Sequence, residues 1–361
     1  MPILRPEIDA LVSYEVGRPI EDVVRQYGVD PATVVKLTAN ESPFGPFPGV
    51  AEAIAAEASL QRYPDNQVWN LGGRLAEELG VEPGNLLFAN GSTAHIADFA
   101  SAVGGPGTRI VYAWPSFIMY RYAAAWAGSE AVEVPLDPEF RVDLAAMADA
   151  IDHSTRLVII CNPNNPTGTI RSGDEVEDFI SSVPDHVLVL VDEAYAEFVQ
   201  DPSYRSMSRI AVDRPNVVTL HTFSKIYSLA GLRIGYAIGH PDTLTGLRKA
   251  QQPLTVNRLA QAAALASLGQ PDELARRVEA NAAGRHYVAG AIEERGLAHV
   301  PSHTNFVFFK MPGEDSQASG EAMTRQGVLI RPMAGGWMRV TIGTDDENRR
   351  FVEALDAVLG D

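Results

Sequence analysis

From about residue 85 to residue 240 the chain alternates short, β-branched apolar runs with helical stretches, a pattern that few architectures accommodate. Strands are expected over 86–88, 109–113, 132–135, 157–161, 187–191, 217–221 and 234–238. Helical segments such as 173–182 separate several of them, so the strands form a mostly parallel sheet with helices on both faces. Val68, Leu71, Leu75 and Leu79 recur at helical spacing and Gly80 supplies a stop, which predicts an amphipathic helix packed on that sheet. Beyond about residue 255 the texture changes to alanine- and arginine-rich helix as far as Gly296. Three short strands, expected over 305–309, 328–331 and 338–342, follow it and predict a smaller α+β lobe. The 361 residues exceed what one core usually fills, about 250–300, so two domains are expected. Their boundaries are placed at 37–265 for the large domain and 266–361 for the small one, with 1–36 as an arm or part of the small domain.

Composition narrows the function classes. A net charge of -17 argues against nucleic acid as a partner. No run approaches about 18 apolar residues, so no membrane span is expected. The single cysteine, Cys161, excludes an internal disulfide and points to a reducing, cytoplasmic setting. The eight histidines show no metal-ligand spacing, so none is assigned to a metal.

The chemistry gathers where strands end. Only four lysines occur, and Lys225 alone stands among anion-binding groups: Thr222 and Ser224 precede it and Arg233 follows across a turn. An amine beside hydroxyls and a guanidinium suits a phosphorylated aldehyde, with Lys225 condensing at the carbonyl and Ser224 and Arg233 holding the phosphate. Asp192 follows the strand at 187–191, where α/β proteins bind ligands. It suits either a pyridine nitrogen or a helix N-cap. Tyr195 lies three residues on, within reach of a phenolic oxygen on the same ring. Asn165 sits in the stiff turn Asn162-Pro163-Asn164-Asn165-Pro166-Thr167-Gly168, which aims one amide at a ring oxygen or is an ordinary turn. Ser92 and Thr93 follow Gly91 at a helix start, placed to receive phosphate or simply to cap. Phe117 offers a stacking face or a core side chain. Arg331 and Arg339 offer bidentate cations for an acidic group or lie on the surface.

Taken in order, these segments resemble the fold-type I pyridoxal-phosphate aminotransferases, and among them the histidinol-phosphate aminotransferase family. Asn40-Glu41-Ser42-Pro43-Phe44-Gly45, Arg62-Tyr63-Pro64-Asp65, Asn90-Gly91-Ser92, Asn164-Asn165-Pro166-Thr167-Gly168, Asp192-Glu193-Ala194-Tyr195, Thr222-Phe223-Ser224-Lys225, Leu229-Ala230-Gly231-Leu232-Arg233, Thr304-Asn305-Phe306 and Arg339-Val340-Thr341-Ile342-Gly343 carry the likeness. It implies a three-layer α/β/α large domain with a seven-stranded sheet, a smaller C-terminal α+β domain, and a homodimer. It also implies pyridoxal 5'-phosphate joined to Lys225, its ring nitrogen paired with Asp192, and its ring oxygen met by Asn165 and Tyr195. Ser92, Thr93, Ser224 and Arg233 would hold the phosphate and Thr222 would be a further cofactor contact, with Phe117 against the ring and Tyr63 reaching the partner's cofactor. Arg339 would bind the substrate's acidic group, with Arg331, Tyr14 and Asn40 as further substrate contacts. The implied reaction moves an amino group between histidinol phosphate and 2-oxoglutarate or glutamate. An aromatic amino acid donor is the alternative, and a lyase or decarboxylase on this scaffold would keep the same lysine and aspartate. The chain departs from the family pattern at Thr93-Ala94-His95, at Phe117 and at Tyr14-Glu15-Val16-Gly17, all near the expected pocket.

Overall fold

The computed structural model describes residues 3–13 and 17–360. Tyr14 therefore lies outside the described residues. A short strand, Val35–Lys36 (β1), precedes the large sheet, whose strands are Leu86–Ala89 (β2), Arg109–Trp114 (β3), Glu130–Pro135 (β4), Thr155–Cys161 (β5), Leu188–Asp192 (β6), Val217–Thr222 (β7) and Gly235–Gly239 (β8). Their spatial order is β2-β8-β7-β6-β5-β3-β4. Strand β8 runs antiparallel to both neighbours, and every other adjacent pair is parallel.

The near-continuous apolar runs follow from a sheet covered on both faces. Alternate residues are dealt to opposite sides: Tyr112, Ile159 and Leu190 join one core beneath the helices Ser92–Val103 and Met119–Ala127. Val111, Val158 and Val189 join another with Val176 and Ile180 of the helix Gly173–Ser182. That helix starts on a reciprocal cap, in which the Ser172 amide donates to the Glu175 carboxylate (2.8 Å) and the Glu175 amide to the Ser172 hydroxyl (3.3 Å). The helix expected from Val68 begins one residue later, at Trp69. Val68 takes a left-handed conformation (φ 52) ahead of it and stays buried, so tertiary packing overrides the helical period there.

The C-terminal lobe contains His299–Val300 (β9), Phe306–Lys310 (β10), Val328–Leu329 (β11), Arg331–Pro332 (β12) and Trp337–Thr341 (β13). Strands β12-β13-β10-β9 form an antiparallel sheet, while β11 pairs in parallel with β1. The single strand expected over 328–331 is thus two, because the N-terminal β1 partners its first half and the chain changes ladder at Ile330. Strand β9 was not expected, being only two residues long. One face of the sheet (Val307, Phe309, Met338, Val340) packs on Val288, Ile292, Phe351 and Leu355 of the helices Pro271–Glu294 and Asp345–Gly360. By the pleat, Phe308, Trp337 and Arg339 take the other face. Among the described residues no helix is long and apolar enough to cross a membrane.

Candidate active site

Parallel strands β5, β6 and β7 end together, and their C-terminal ends open into a cavity of about 340 Å³. Asp192 is the last residue of β6 and Thr222 the last of β7; Asn165 and Lys225 follow within a few residues of β5 and β7. Ser92, Thr93, Phe117, Tyr195, Ser224, Arg233, Asn40 and Arg339 line the same cavity. Arg331 instead lines an adjoining cavity with Gly17, Arg18 and Thr38. Tyr63 is 82% exposed and lies on an outer groove beside Leu60 and Leu254, away from this chain's own cavity.

At one end the backbone itself prepares an anion site. Helix Ser92–Val103 starts at Gly91 (φ 84) with no side-chain cap, leaving its first amides without intrahelical acceptors. A Cβ on Gly91 would stand 2.6 Å from Nη2 of Arg233, and one on Gly235 would stand 2.6 Å from the Ser92 amide. Only glycine lets guanidinium and helix terminus converge there. The Thr222 hydroxyl donates to Oγ of Ser224 (2.8 Å) and accepts from the Ser224 amide (3.0 Å), so both hydroxyls are held in one cluster. Amides, hydroxyls and a guanidinium around a space no Cβ enters fit a phosphate group.

At the other end lies a buried carboxyl. Asp192 is 3% exposed; its Oδ2 accepts from the Tyr120 hydroxyl (2.8 Å) and its Oδ1 from the Ala194 amide (3.2 Å). Burial pushes its pKa up, while these two donors and the Lys225 cation pull it down. A cationic ring N–H would suit a buried carboxylate held in this way. Sequence reasoning missed Tyr120, which reads as an ordinary core aromatic. The available signal was its spacing, three residues after Phe117, and the two rings meet edge to face at 5.8 Å. Cys161 pairs in register with Asp192, and burial pushes its thiol up to about 12, so it stays protonated.

Lys225 donates from Nζ to the carbonyls of Ala39 (3.4 Å) and Asn40 (3.3 Å). Burial first, then Arg339 and Arg233, push its pKa down to about 8, against Glu41 and Asp192. The amine keeps partial solvent access, so part of this lowering is screened. Asn165, in the turn after a cis Asn162–Pro163 bond, accepts at Oδ1 from Nη1 of Arg339, whose Nη2 donates to the Thr38 carbonyl (2.7 Å). The Tyr195 hydroxyl accepts from Nδ2 of Asn40 (2.9 Å). Asn40, in the left-handed region (φ 54), also donates its amide to the Thr341 hydroxyl (3.0 Å) and accepts that hydroxyl at Oδ1 (3.1 Å). Its side chain is therefore engaged in joining the two lobes at the pocket wall.

A lysine with a lowered pKa, a buried aspartate opposite it and an anion cradle, all at strand ends, define a fold-type I, cofactor-using group-transfer enzyme. The family described as aminotransferase class I and II matches residues 32–355, and the chain belongs to it. The aromatic amino acid aminotransferase of Streptomyces coelicolor is 41% identical over 356 residues, covering 98% of this chain and 97% of the other. The histidinol-phosphate aminotransferase of Moorella thermoacetica is 40% identical over 365 residues, covering 99% and 94%. Among solved structures, histidinol-phosphate aminotransferase from Sinorhizobium meliloti, in complex with pyridoxal-5'-phosphate, superposes with a TM-score of 0.90 at 30% identity, covering 100% and 98%.

Proposed function

We propose that this aminotransferase uses pyridoxal 5'-phosphate to move an amino group between histidinol phosphate and 2-oxoglutarate, yielding a keto product and glutamate, and returning by the same steps. The observation that carries the cofactor reading is the single cavity lined by Lys225, Asp192 and the anion cradle of Ser92, Thr93, Ser224 and Arg233, whose chemistry suits a ring bearing an aldehyde and a phosphate. Bound there, the cofactor supplies an aldehyde that condenses with amines and a protonated ring that withdraws electrons from the substrate's α-carbon.

The chain's residues divide the remaining work. Lys225 would hold the aldehyde between turnovers, and once an incoming amine displaces it, its Nζ would serve as the base that carries the proton of the substrate's α-carbon. Asp192, kept ionised by that ring's own charge and steadied by Tyr120, maintains the ring proton. Asn165 and Tyr195 would hold the ring oxygen, and Phe117 would cover the ring. Ser92, Thr93, Thr222, Ser224 and Arg233 hold the phosphate. Arg339 takes the acidic group of either substrate.

Arg331 supports the phosphate-bearing donor. It stands opposite Arg339 in the β12–β13 register, so two guanidinium side chains leave one sheet face together. A phosphate monoester at that end rewards both, whereas a carboxylate needs one. An aromatic donor is the second reading. It is favoured by the apolar face of Phe117 and by Arg331 lining a neighbouring cavity rather than the central one. Turnover of histidinol phosphate, phenylalanine and tyrosine, each with 2-oxoglutarate, separates the two. A kcat/KM for phenylalanine above that for histidinol phosphate would overturn the first.

The reading includes a homodimer, supported by the exposure of Leu60 (68%), Tyr63 (82%) and Trp69 (75%) on one stretch of the large lobe. Tyr63 would extend from there to the partner's cofactor, and a monomeric mass in solution would remove that role. Tyr14 completes the proposed substrate contacts, with Asn40 acting through the pocket wall. The functional division is 37–265 for cofactor binding and 266–361 for the small domain, with 1–36 as an arm; the pairing of β1 with β11 supports the arm's attachment to the small domain. A cytoplasmic location fits the single reduced cysteine.

A further inference from the structure

Helix Pro271–Glu294 carries two consecutive arginines with opposite surroundings. The Arg276 side chain is 54% exposed and pairs with Glu273, whereas that of Arg277 is only 2% exposed. A buried guanidinium is strongly disfavoured unless its donors are used, and here four of the five are. Nε donates to Glu273 (2.7 Å), Nη1 to the Ile226 carbonyl (3.1 Å) and the Ser228 hydroxyl (2.6 Å), and Nη2 to the Gly45 carbonyl (2.8 Å). Its carbon centre lies 4.1 Å from the centre of the Phe47 ring.

Apart from Glu273 on the same helix, those acceptors belong to the two segments that bracket the reactive amine. Ile226 adjoins Lys225, and the Ser228 amide donates to the Lys225 carbonyl (3.0 Å) from a left-handed turn (φ 59). Gly45 ends the stretch whose Ala39 and Asn40 carbonyls receive Nζ. We propose that Arg277 is a positioning residue for Lys225, fixing the amine's own loop against the 39–45 segment that receives it. The inference rests on Lys225 being the reactive amine.

A plain strut between helix and large lobe would affect stability alone. A positioning role also alters the amine. Four charged groups face Nζ: Arg339 from β13, Arg233 from the turn before β8, Asp192 from β6 and Glu41 from the 39–45 segment. Only Glu41 sits on the segment that Arg277 holds. Loosening it withdraws two carbonyl acceptors and one negative charge, all of which favour the ammonium form, and leaves the arginines in place. The amine then titrates lower.

The test uses the full-length protein with Arg277→Lys and the milder Ser228→Ala. Three quantities are read: the melting temperature, kcat against KM with an amino donor, and the pH midpoint for capture of added pyridoxal phosphate, followed as near-visible absorbance. Arg277→Lys is expected to lower kcat about 100-fold and Ser228→Ala about 10-fold, with KM changed less than ~3-fold and the capture midpoint lowered in both. Unchanged kcat with an unchanged or raised midpoint overturns the proposal, however far the melting temperature falls. Should Arg277→Lys fail to fold, Ser228→Ala decides by the same readings. Failure of the unsubstituted protein to capture the aldehyde is a different result: it removes Lys225 as the reactive amine, and this inference with it.

Discussion

The two ends of the pocket are built in different ways. At the ring and phosphate end, Asp192, Thr222 and Lys225 sit on or just beyond the ends of adjacent strands in one buried sheet. Their positions are set by strand register and by cores on both faces. At the other end, Asn40 and Arg339 come from an N-terminal segment and a small-lobe strand, while Arg331 on the neighbouring strand lines the adjoining cavity. Cross-lobe hydrogen bonds such as Asn305 to Asn40 (3.1 Å) and Arg339 to Thr38 (2.7 Å) bring them together. In the proposed function the sheet end carries the chemistry and the cross-lobe end selects the molecule on which it acts.

Removing the amine breaks the sheet end most completely. Lys225→Ala is expected to lower turnover by at least about 10⁴-fold, since nucleophile and proton carrier go together, and steady-state assays with either donor should register it. Asp192→Asn should cost about 10²–10³-fold in kcat while leaving cofactor content nearly intact, because the amide still accepts from Tyr120 but no longer holds a ring proton. An unchanged kcat would strip Asp192 of its role.

Changes at the cross-lobe end should sort donors rather than stop the reaction. Arg331→Gln is expected to lower kcat/KM for histidinol phosphate by about 10–100-fold, the equivalent of about 1.5–3 kcal/mol for a charged hydrogen bond, and to spare phenylalanine. Equal losses for both donors would mean that the two ends are not separable in this way. Gly91→Ala returns to the sheet end with a smaller effect. Strain at a positive φ and the crowding of Arg233 should weaken cofactor binding by about 5–30-fold, or about 1–2 kcal/mol, measurable by fluorescence titration.

The smallest effect sharpens the electrostatics. Capture of an aldehyde needs the neutral amine, so its rate should rise with pH through about 8. An ordinary lysine would place that rise near ~10.4.

The same contrast explains what could be read in the sequence. All seven strands of the large sheet are legible, the central ones most clearly, because burial on both faces favours apolar, β-branched runs such as the one leading to Asp192. Motifs at their ends are contiguous, so Lys225, Asp192 and Asn165 were found as neighbours of strands. Features that depend on distant partners were not legible. The run at 328–331 divides between two ladders because β1, some 290 residues earlier in the chain, takes its first half. Tyr120 looks like core until Asp192 is seen beside its hydroxyl. Arg277 looks like its neighbour Arg276 until the helix is turned against the loops of Ile226 and Gly45.

Borohydride reduction of the cofactor-loaded protein, followed by peptide mass mapping, tests the central assignment most directly. The added mass of the reduced cofactor should appear on the peptide containing Lys225 and on none containing Lys36, Lys249 or Lys310. A label on one of those three, or on no lysine, would contradict the assignment.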